Sequence, residues 1–364
     1  MERDIEKILS NFKISGEFVS FKKIVTGHIN DSYLIKTNST DHPGYFLQWI
    51  NSYIFKDVAG LMNNIIAVTH HLANKLAEHP ELAFKVLEVI PTLADDKYFV
   101  QSEGQYWRLY AFIDDSHGYD VVENAQIAYE GGKAFGIFMS LLADLPAAGL
   151  TETIPDFHNM EKRLATFNNS LKNNTADRAK DIATEIEFIK NRAEQMLTIP
   201  ALIKSGQLPM RITHNDTKFN NILFDKSDHA MCIVDLDTVM PGSVLFDFGD
   251  AIRTGGNTAA EDEKDLSKVD INLSIYEAYT RGFLKSTRHT LTEVEIDNLA
   301  FSARFMTFII GLRFITDFID GDLYFRTQYP EHNLVRARVQ FRLVEQMELN
   351  ADKMHDIVVK SIEE

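Results

Sequence analysis

The sequence predicts an α+β fold in two lobes, a small antiparallel-sheet lobe over residues 1–113 and a mostly helical lobe over residues 114–364. Three observations predict it. The chain has 364 residues, more than one compact core usually organises. Strand-like runs crowd its first third, with one long helix among them. From Glu123 onward the apolar spacing turns helical, and a single hairpin interrupts it.

Residues 1–13 read as a short amphipathic helix with Ile5, Ile8, Leu9 and Phe12 on one face. Strand-like runs follow at 18–25, 31–36 and 45–50. Thr26, Gly27, His28, Ile29 and Asn30 join the first two. Such a glycine-bearing connection either turns backbone N–H groups toward phosphate oxygens or is an ordinary hairpin turn. Residues 57–78 carry a helical stripe of Val58, Leu61, Met62, Ile65, Ile66, Thr69 and Leu72, ended by Pro80. His70 and His71 point to different faces of that helix, which makes them ordinary surface or boundary residues and a poor metal pair. Further strands are expected at 84–90, 98–101 and 107–113. The polar segment from Asp114 to Gly118 reads as the joint between lobes. Helices are expected at 123–144, 159–171, 175–197, 260–285, 292–320 and 332–361, with residues 254–260 a loop.

Hydrophobic residues make up 45% and charged residues 25%, an ordinary globular balance. No stretch reads as apolar for long enough to cross a bilayer, and the charged N-terminus lacks the apolar core of a signal peptide. Cys232 is the only cysteine, so no internal disulfide can form; a buried thiol in a reducing cytoplasm is expected. The formal charge of −16 repels a nucleic-acid backbone, and no basic patch offsets it. An anionic small molecule can still bind where backbone amides and metal ions meet its charge locally.

The stretch Ile212 to Asp235 carries the chemistry. Two apolar runs, Ile222 to Phe224 and Met231 to Val234, flank a polar turn, which predicts a hairpin. That hairpin would bring Asn221 and Asp235 to one end. His214, Asp216 and Asn221 follow the His-x-Asp-x-x-x-x-Asn spacing of phosphoryl-transfer loops, where the Asp receives a hydroxyl proton. The Asn and a later Asp would hold Mg²⁺.

These residues resemble the aminoglycoside phosphotransferase and choline kinase superfamily, on HNDTKFNNILFD followed by IVDLDTVMPGSVLFDFGDAIR. Within it the chain is most similar to the N-acetylhexosamine 1-kinases, through GHINDSY, FLQWIN, Phe157-His158 and GLRFITDFIDGDLYF. The resemblance implies a protein-kinase-like fold and phosphorylation of the anomeric hydroxyl of a sugar by ATP. It makes Asp216 the base and gives Mg²⁺ to Asn221 and Asp235. Gly27, His28, Ile29 and Asn30 would cover the phosphates, and the backbone around Tyr110, Ala111 and Ile113 would hold the adenine. His28, Arg313 and Tyr324 would contact the sugar.

The chain departs from the wider pattern at the third strand, where Gln48 stands in place of a phosphate-binding lysine. The following helix also lacks the glutamate that would pair with it, so the ion pair is missing as a unit. The Gln48 amide can still donate to phosphate, and Lys218 either supplies positive charge near the γ-phosphate or faces solvent. Arg313 has a second reading as the i+4 partner of Asp317 on an amphipathic helix. Asp247-Phe248-Gly249 spells a kinase metal motif but lies too far past the hairpin. Asp247 reads instead as a buried carboxylate accepting from the catalytic-loop backbone, and Asp237 as a second ligand or a residue behind it. A kinase for choline, homoserine or an aminoglycoside, and a nucleotide-binding scaffold without turnover, are the competing functions.

Overall fold

The computed structural model describes residues 4–24, 30–40, 42, 44–94 and 97–363. Helix α1 (Ile5–Leu9) opens the small lobe, capped by the Asp4 side chain accepting from Lys7 N. Five strands then form one antiparallel sheet: β1 (Phe18–Ile24), β2 (Asp31–Thr37), β3 (Tyr45–Ile50), β4 (Val100–Ser102) and β5 (Gln105–Ala111), in the order β1-β2-β3-β5-β4. Helix α2 (Val58–Glu78) lies between β3 and β4 in the chain and is capped by Asp57. Side chains alternate across each strand. Tyr33, Ile35, Tyr45, Leu47, Trp107 and Leu109 therefore pack with α1 on one face. Phe46, Ile50, Tyr106 and Tyr110 join the main core on the other.

The register lines up a polar row across three strands. Ser32 stands opposite Gln48, and Gln48 opposite Arg108. The strand expected at 84–90 is corrected to an extended segment with isolated bridges, Lys85 to Cys232 and Val89 to Tyr110. It divides its backbone between the two lobes, so no ladder accumulates. β5 ends at Ala111, and one further backbone bond, Phe112 N to Gly44 O, follows it. By His117 the chain exchanges backbone hydrogen bonds with Phe224 in the large lobe. Gly27, His28 and Ile29 lie outside the described residues.

The large lobe contains α3 (Ala125–Leu141), α4 (Met160–Asn173), α5 (Ala183–Arg192), α6 (Thr198–Lys204), β6 (Arg211–Thr213), β7 (Ile222–Phe224), β8 (Ala230–Ile233) and β9 (Met240–Gly242). It ends with α7 (Val244–Gly255), α8 (Leu273–Thr287), α9 (Glu293–Asp297), α10 (Leu299–Asp320), α11 (His332–Leu349) and α12 (Ala351–Glu363). β7 pairs with β8 as the expected hairpin, and β6 with β9. Several expected helices are shortened or divided. Behind its Asn272 cap, α8 begins at Leu273 rather than at 260, and the helix expected over 332–361 breaks at Asn350. α7, which begins at the Ser243 cap, was not expected as a helix.

α10 corrects the expectation about apolar stretches. At 22 residues it is long and apolar enough to cross a membrane by length and composition. Here it is a core helix packed by α4, α7 and α11. Cys232 is buried, as its place in β8 requires.

Candidate active site

The loop between β6 and β7 is held by polar contacts at nearly every residue. Asn215 stands at φ 63°, a left-handed conformation that asparagine tolerates better than most. Its amide nitrogen donates to Thr213 O (3.1 Å) and Thr238 O (3.0 Å). Asp247, in the first turn of α7, accepts from His214 N (2.8 Å) and Asn215 N (2.7 Å). The carboxylate is fully buried, and burial pushes its pKa up to about 7. The Asp-Phe-Gly motif is thus a brace for this loop. His214 donates from Nε2 to Val234 O (2.9 Å), which leaves Nδ1 to accept Asp216 N (3.3 Å). His158 contacts Asn215 O from Nε2 at 3.3 Å, and burial lowers its pKa to about 4.

This frame brings Asp216, Lys218, Asn221 and Asp235 together. Lys218 Nζ is 2.7 Å from Asp216 Oδ1. Burial pushes the Asp216 pKa up, but the Lys218 charge and hydrogen bond outweigh it and hold the carboxylate below its usual range. The Asp216 carboxylate in turn raises the Lys218 pKa. Asn221 donates to Asp216 O (2.8 Å) and Asp216 Oδ2 (3.2 Å). Val234 N donates to Asn221 O at 2.9 Å, so Asn221 and Asp235 share one end of the hairpin.

Asp235 has φ 59° and stays exposed toward the cleft, where the protein atoms crowded around it and the nearby Asp237 and Asp216 carboxylates push its pKa up. Surplus negative charge and hard oxygen donors fit Mg²⁺, which usually takes one or two carboxylates and leaves its other positions to water and phosphate. Among the described residues no group of three or more His, Cys, Asp or Glu could hold a metal. A site built from Asn221 and Asp235 with nucleotide oxygens therefore matches this chain better than an all-protein cage.

On the small-lobe side, Asn30 Nδ2 donates to Asp237 Oδ2 (2.6 Å) and Asn30 Oδ1 accepts from Asn51 N (3.0 Å). Gln48 turns one amide N–H to its neighbour in the sheet, its Nε2 donating to Ser32 Oγ at 3.1 Å. Its Oε1 accepts from Arg108 Nε (3.1 Å) and Nη2 (2.9 Å). Tyr110 and Ala111 also bond to the extended 84–90 segment, Tyr110 bridging to Val89 and Ala111 N donating to Glu88 O at 2.9 Å. Ile113 O accepts from Ser116 Oγ at 2.7 Å. A cavity of about 690 Å³ borders Ala111 and Ile113 with α2 and residues 84–88 as its other walls; no catalytic-loop residue lines it.

Arg313 and Tyr324 form one wall. The Arg313 guanidinium lies 5.1 Å from the Phe157 ring, 5.6 Å from Tyr324 and 5.4 Å from Phe325. Its Nη2 is 3.4 Å from Tyr324 Oη. Burial and the neighbouring Arg163 lower its pKa to about 10. The alternative pairing with Asp317 is not made: Asp317 accepts instead from Leu323 N, Tyr324 N, Phe325 N and Asn333 Nδ2. A cavity of about 160 Å³ lies against this wall. Phe157 connects it to the loop, since its neighbour His158 contacts Asn215.

Sequence reasoning missed three buried charges. Asp250 and Arg253, paired at 2.8 Å one turn apart on α7, act electrostatically on Lys218 and Arg313. Their i,i+3 spacing in FGDAIR was a readable signal. Arg108 pairs with Asp237 across the lobes, and the only hint was a charged residue inside an apolar strand.

A structure of a microcompartment-associated aminopropanol kinase superposes with a TM-score of 0.60 at 11% identity, covering 96% of this chain and 97% of that one. A spectinomycin phosphotransferase in complex with ADP and spectinomycin gives 0.59 at 15% identity, with the same coverage. Choline kinase from Cryptosporidium parvum Iowa II gives 0.59 at 14% identity, covering 99% of each. The two-lobed kinase-like fold is shared by all three. The family model for the phosphotransferase enzyme family matches residues 20–279, spanning the sheet, the catalytic hairpin and α7, and the chain belongs to that family.

Proposed function

We propose that this chain transfers the γ-phosphoryl group of ATP to a hydroxyl of a small neutral sugar in the cytoplasm, the anomeric hydroxyl of an N-acetylhexosamine being the favoured acceptor. The observation that carries the acceptor class is the aromatic cage of Phe157, Tyr324 and Phe325, already filled by the Arg313 guanidinium. Such a cage would serve choline if it were open. Closed by a resident cation, it repels a cationic acceptor and offers hydrogen-bond donors to sugar oxygens.

Asp216, kept ionised by Lys218, accepts the proton of the sugar hydroxyl. The freed oxygen bonds to the γ-phosphorus, the bond to the β–γ bridging oxygen breaks, and ADP leaves with that electron pair. Asn221 holds the Asp216 carboxylate in place through its own amide. Asp235 and Asn221 would hold Mg²⁺, which supplies positive charge against the phosphates when bound. Most of the rate comes from positioning and electrostatics, with proton removal a smaller part.

A coupled ADP-release assay across N-acetylglucosamine, N-acetylgalactosamine, choline, homoserine and an aminoglycoside tests this. Turnover confined to the acetylated sugars supports it. Turnover with choline, homoserine or the aminoglycoside alone would reject the acceptor class, and ATP binding without any turnover would favour a scaffold.

A further inference from the structure

The small lobe buries one guanidinium that packing does not explain. Arg108, on the middle of β5, is 1% exposed in its side chain. It faces Gln48 directly across the sheet, and Ser32 completes the row on the adjoining strand. Gln48 accepts two of its N–H groups, through Nε and Nη2. Nη1 pairs with Asp237 Oδ1 of the large lobe, and the guanidinium stacks at 5.3 Å on Tyr110. A buried ion pair seldom adds stability over well-packed apolar residues, so retaining one here calls for another use.

Its location supplies that use. Asp237 follows Asp235 by two positions and also accepts from Asn30, at the foot of the β1–β2 connection. The guanidinium therefore shares the Asp237 carboxylate with Asn30 and lies near enough to Asp235, the carboxylate expected to hold the metal, to feel its charge. An arginine has five N–H donors in a rigid fork. Three are engaged by Gln48 and Asp237, which leaves two.

We infer that Arg108 replaces the missing third-strand lysine as the fixed cation for the nucleotide's α- and β-phosphates, with Gln48 orienting it and Asp237 serving as its carboxylate partner in place of a helix glutamate. The ion pair of the usual kinase arrangement is moved one strand across the sheet and anchored in the other lobe. This rests on the phosphotransfer reading. It explains why Gln48 and an α2 without a matching glutamate occur together: the third strand positions the cation instead of supplying it.

The test compares affinities for ATP, ADP and adenosine by calorimetry, with the KM for ATP and for the sugar, in the full-length chain and its Arg108→Met, Arg108→Lys and Gln48→Leu variants. Arg108→Met is expected to weaken ADP and ATP by at least about tenfold, the size of one charge-assisted hydrogen bond, while adenosine changes less than about twofold. The KM for the sugar stays put, and Arg108→Lys recovers part of the loss. Gln48→Leu, which keeps the buried ion pair, shows the same phosphate-dependent loss in smaller measure and serves if the arginine variants do not fold. The double variant Gln48→Lys with Arg108→Gln returns the cation to the third strand and should regain ADP affinity. Equal weakening of ADP and adenosine, or a lowered melting temperature with both affinities intact, overturns the proposal and leaves Arg108 as a structural pin. If the unaltered chain binds neither nucleotide and turns over no acceptor, the phosphotransfer reading itself fails. Wild-type turnover with phosphate-independent Arg108 variants removes the arginine proposal alone.

Discussion

Asp247 Oδ1 accepts the backbone N–H of Asn215 at 2.7 Å while Asn215 stands at φ 63°. A buried carboxylate thereby holds a left-handed residue directly before the proposed base. Asp247→Asn keeps the shape but offers one acceptor oxygen where two backbone amides need one each. The expected outcome is a loss of about 2–3 kcal/mol in urea unfolding, together with a lower kcat.

Two buried groups give opposite pH dependences. The Asp247 pKa rises from the ordinary 3.8 to about 7, so folding disfavours its charged form. Its contribution is fullest below pH 4 and is lost as pH rises toward 7. The His158 pKa falls from 6.5 to about 4, so its contribution is full above pH 6.5 and is lost on acidification toward 4. Melting temperatures between pH 4 and 8 for the unaltered chain, Asp247→Asn and His158→Gln separate them. Relative to the parent, the first variant should lose less as pH rises and the second less as pH falls. Parallel curves would mean that these groups do not titrate there.

Asp216→Asn should lower kcat by about 10²–10⁴, the usual range for a positioned base. Nucleotide affinity by calorimetry should change little, since the substitution leaves the proposed metal-holding Asp235 and the phosphate-facing residues in place. Retained turnover would remove Asp216 from the mechanism.

Arg313→Met keeps much of the apolar stem against Phe157 and Tyr324 but removes the charge from the cage. The KM for the sugar should rise about tenfold or more with the KM for ATP unchanged. The emptied cage should also admit choline weakly as an inhibitor, measurable by competition. A change in the KM for ATP alone would place this wall outside the acceptor site.

The large lobe depends on a close helix crossing. A Cβ on Gly132 of α3 would stand 2.1 Å from Tyr279 O of α8, and one on Gly282 of α8 would stand 2.1 Å from Tyr129 O. Backbone cannot yield as a side-chain tip can, so Gly132→Ala should cost about 1–3 kcal/mol in unfolding experiments. An unchanged melting temperature would show that the helices can slide apart freely.

Local patterns determined much of this protein. The spacing of His214, Asp216 and Asn221 is a property of one short loop, and the apolar runs at β7 and β8 carry their own pairing signal. The helix stripe of α2 and the alternation in β3 likewise need only neighbouring residues. Even the brace role of Asp247 was readable, because the hairpin already accounted for Asp235. Boundaries were less legible: Asn350 divides what reads as one continuous helix, and α7 lies hidden behind Pro241 and Gly242.

Tertiary structure decided the charges. Whether Gln48 meets a phosphate or Arg108 depends on sheet register, which places residues far apart in the chain directly opposite one another. Arg108 meets Asp237 only because the two lobes close on each other. Arg313 turned from Asp317 to an aromatic cage because the backbone of residues 323–325 claimed that carboxylate first. A sequence states which groups can ionise; folding decides which partners satisfy them, since burial makes an unpaired charge too costly to leave alone.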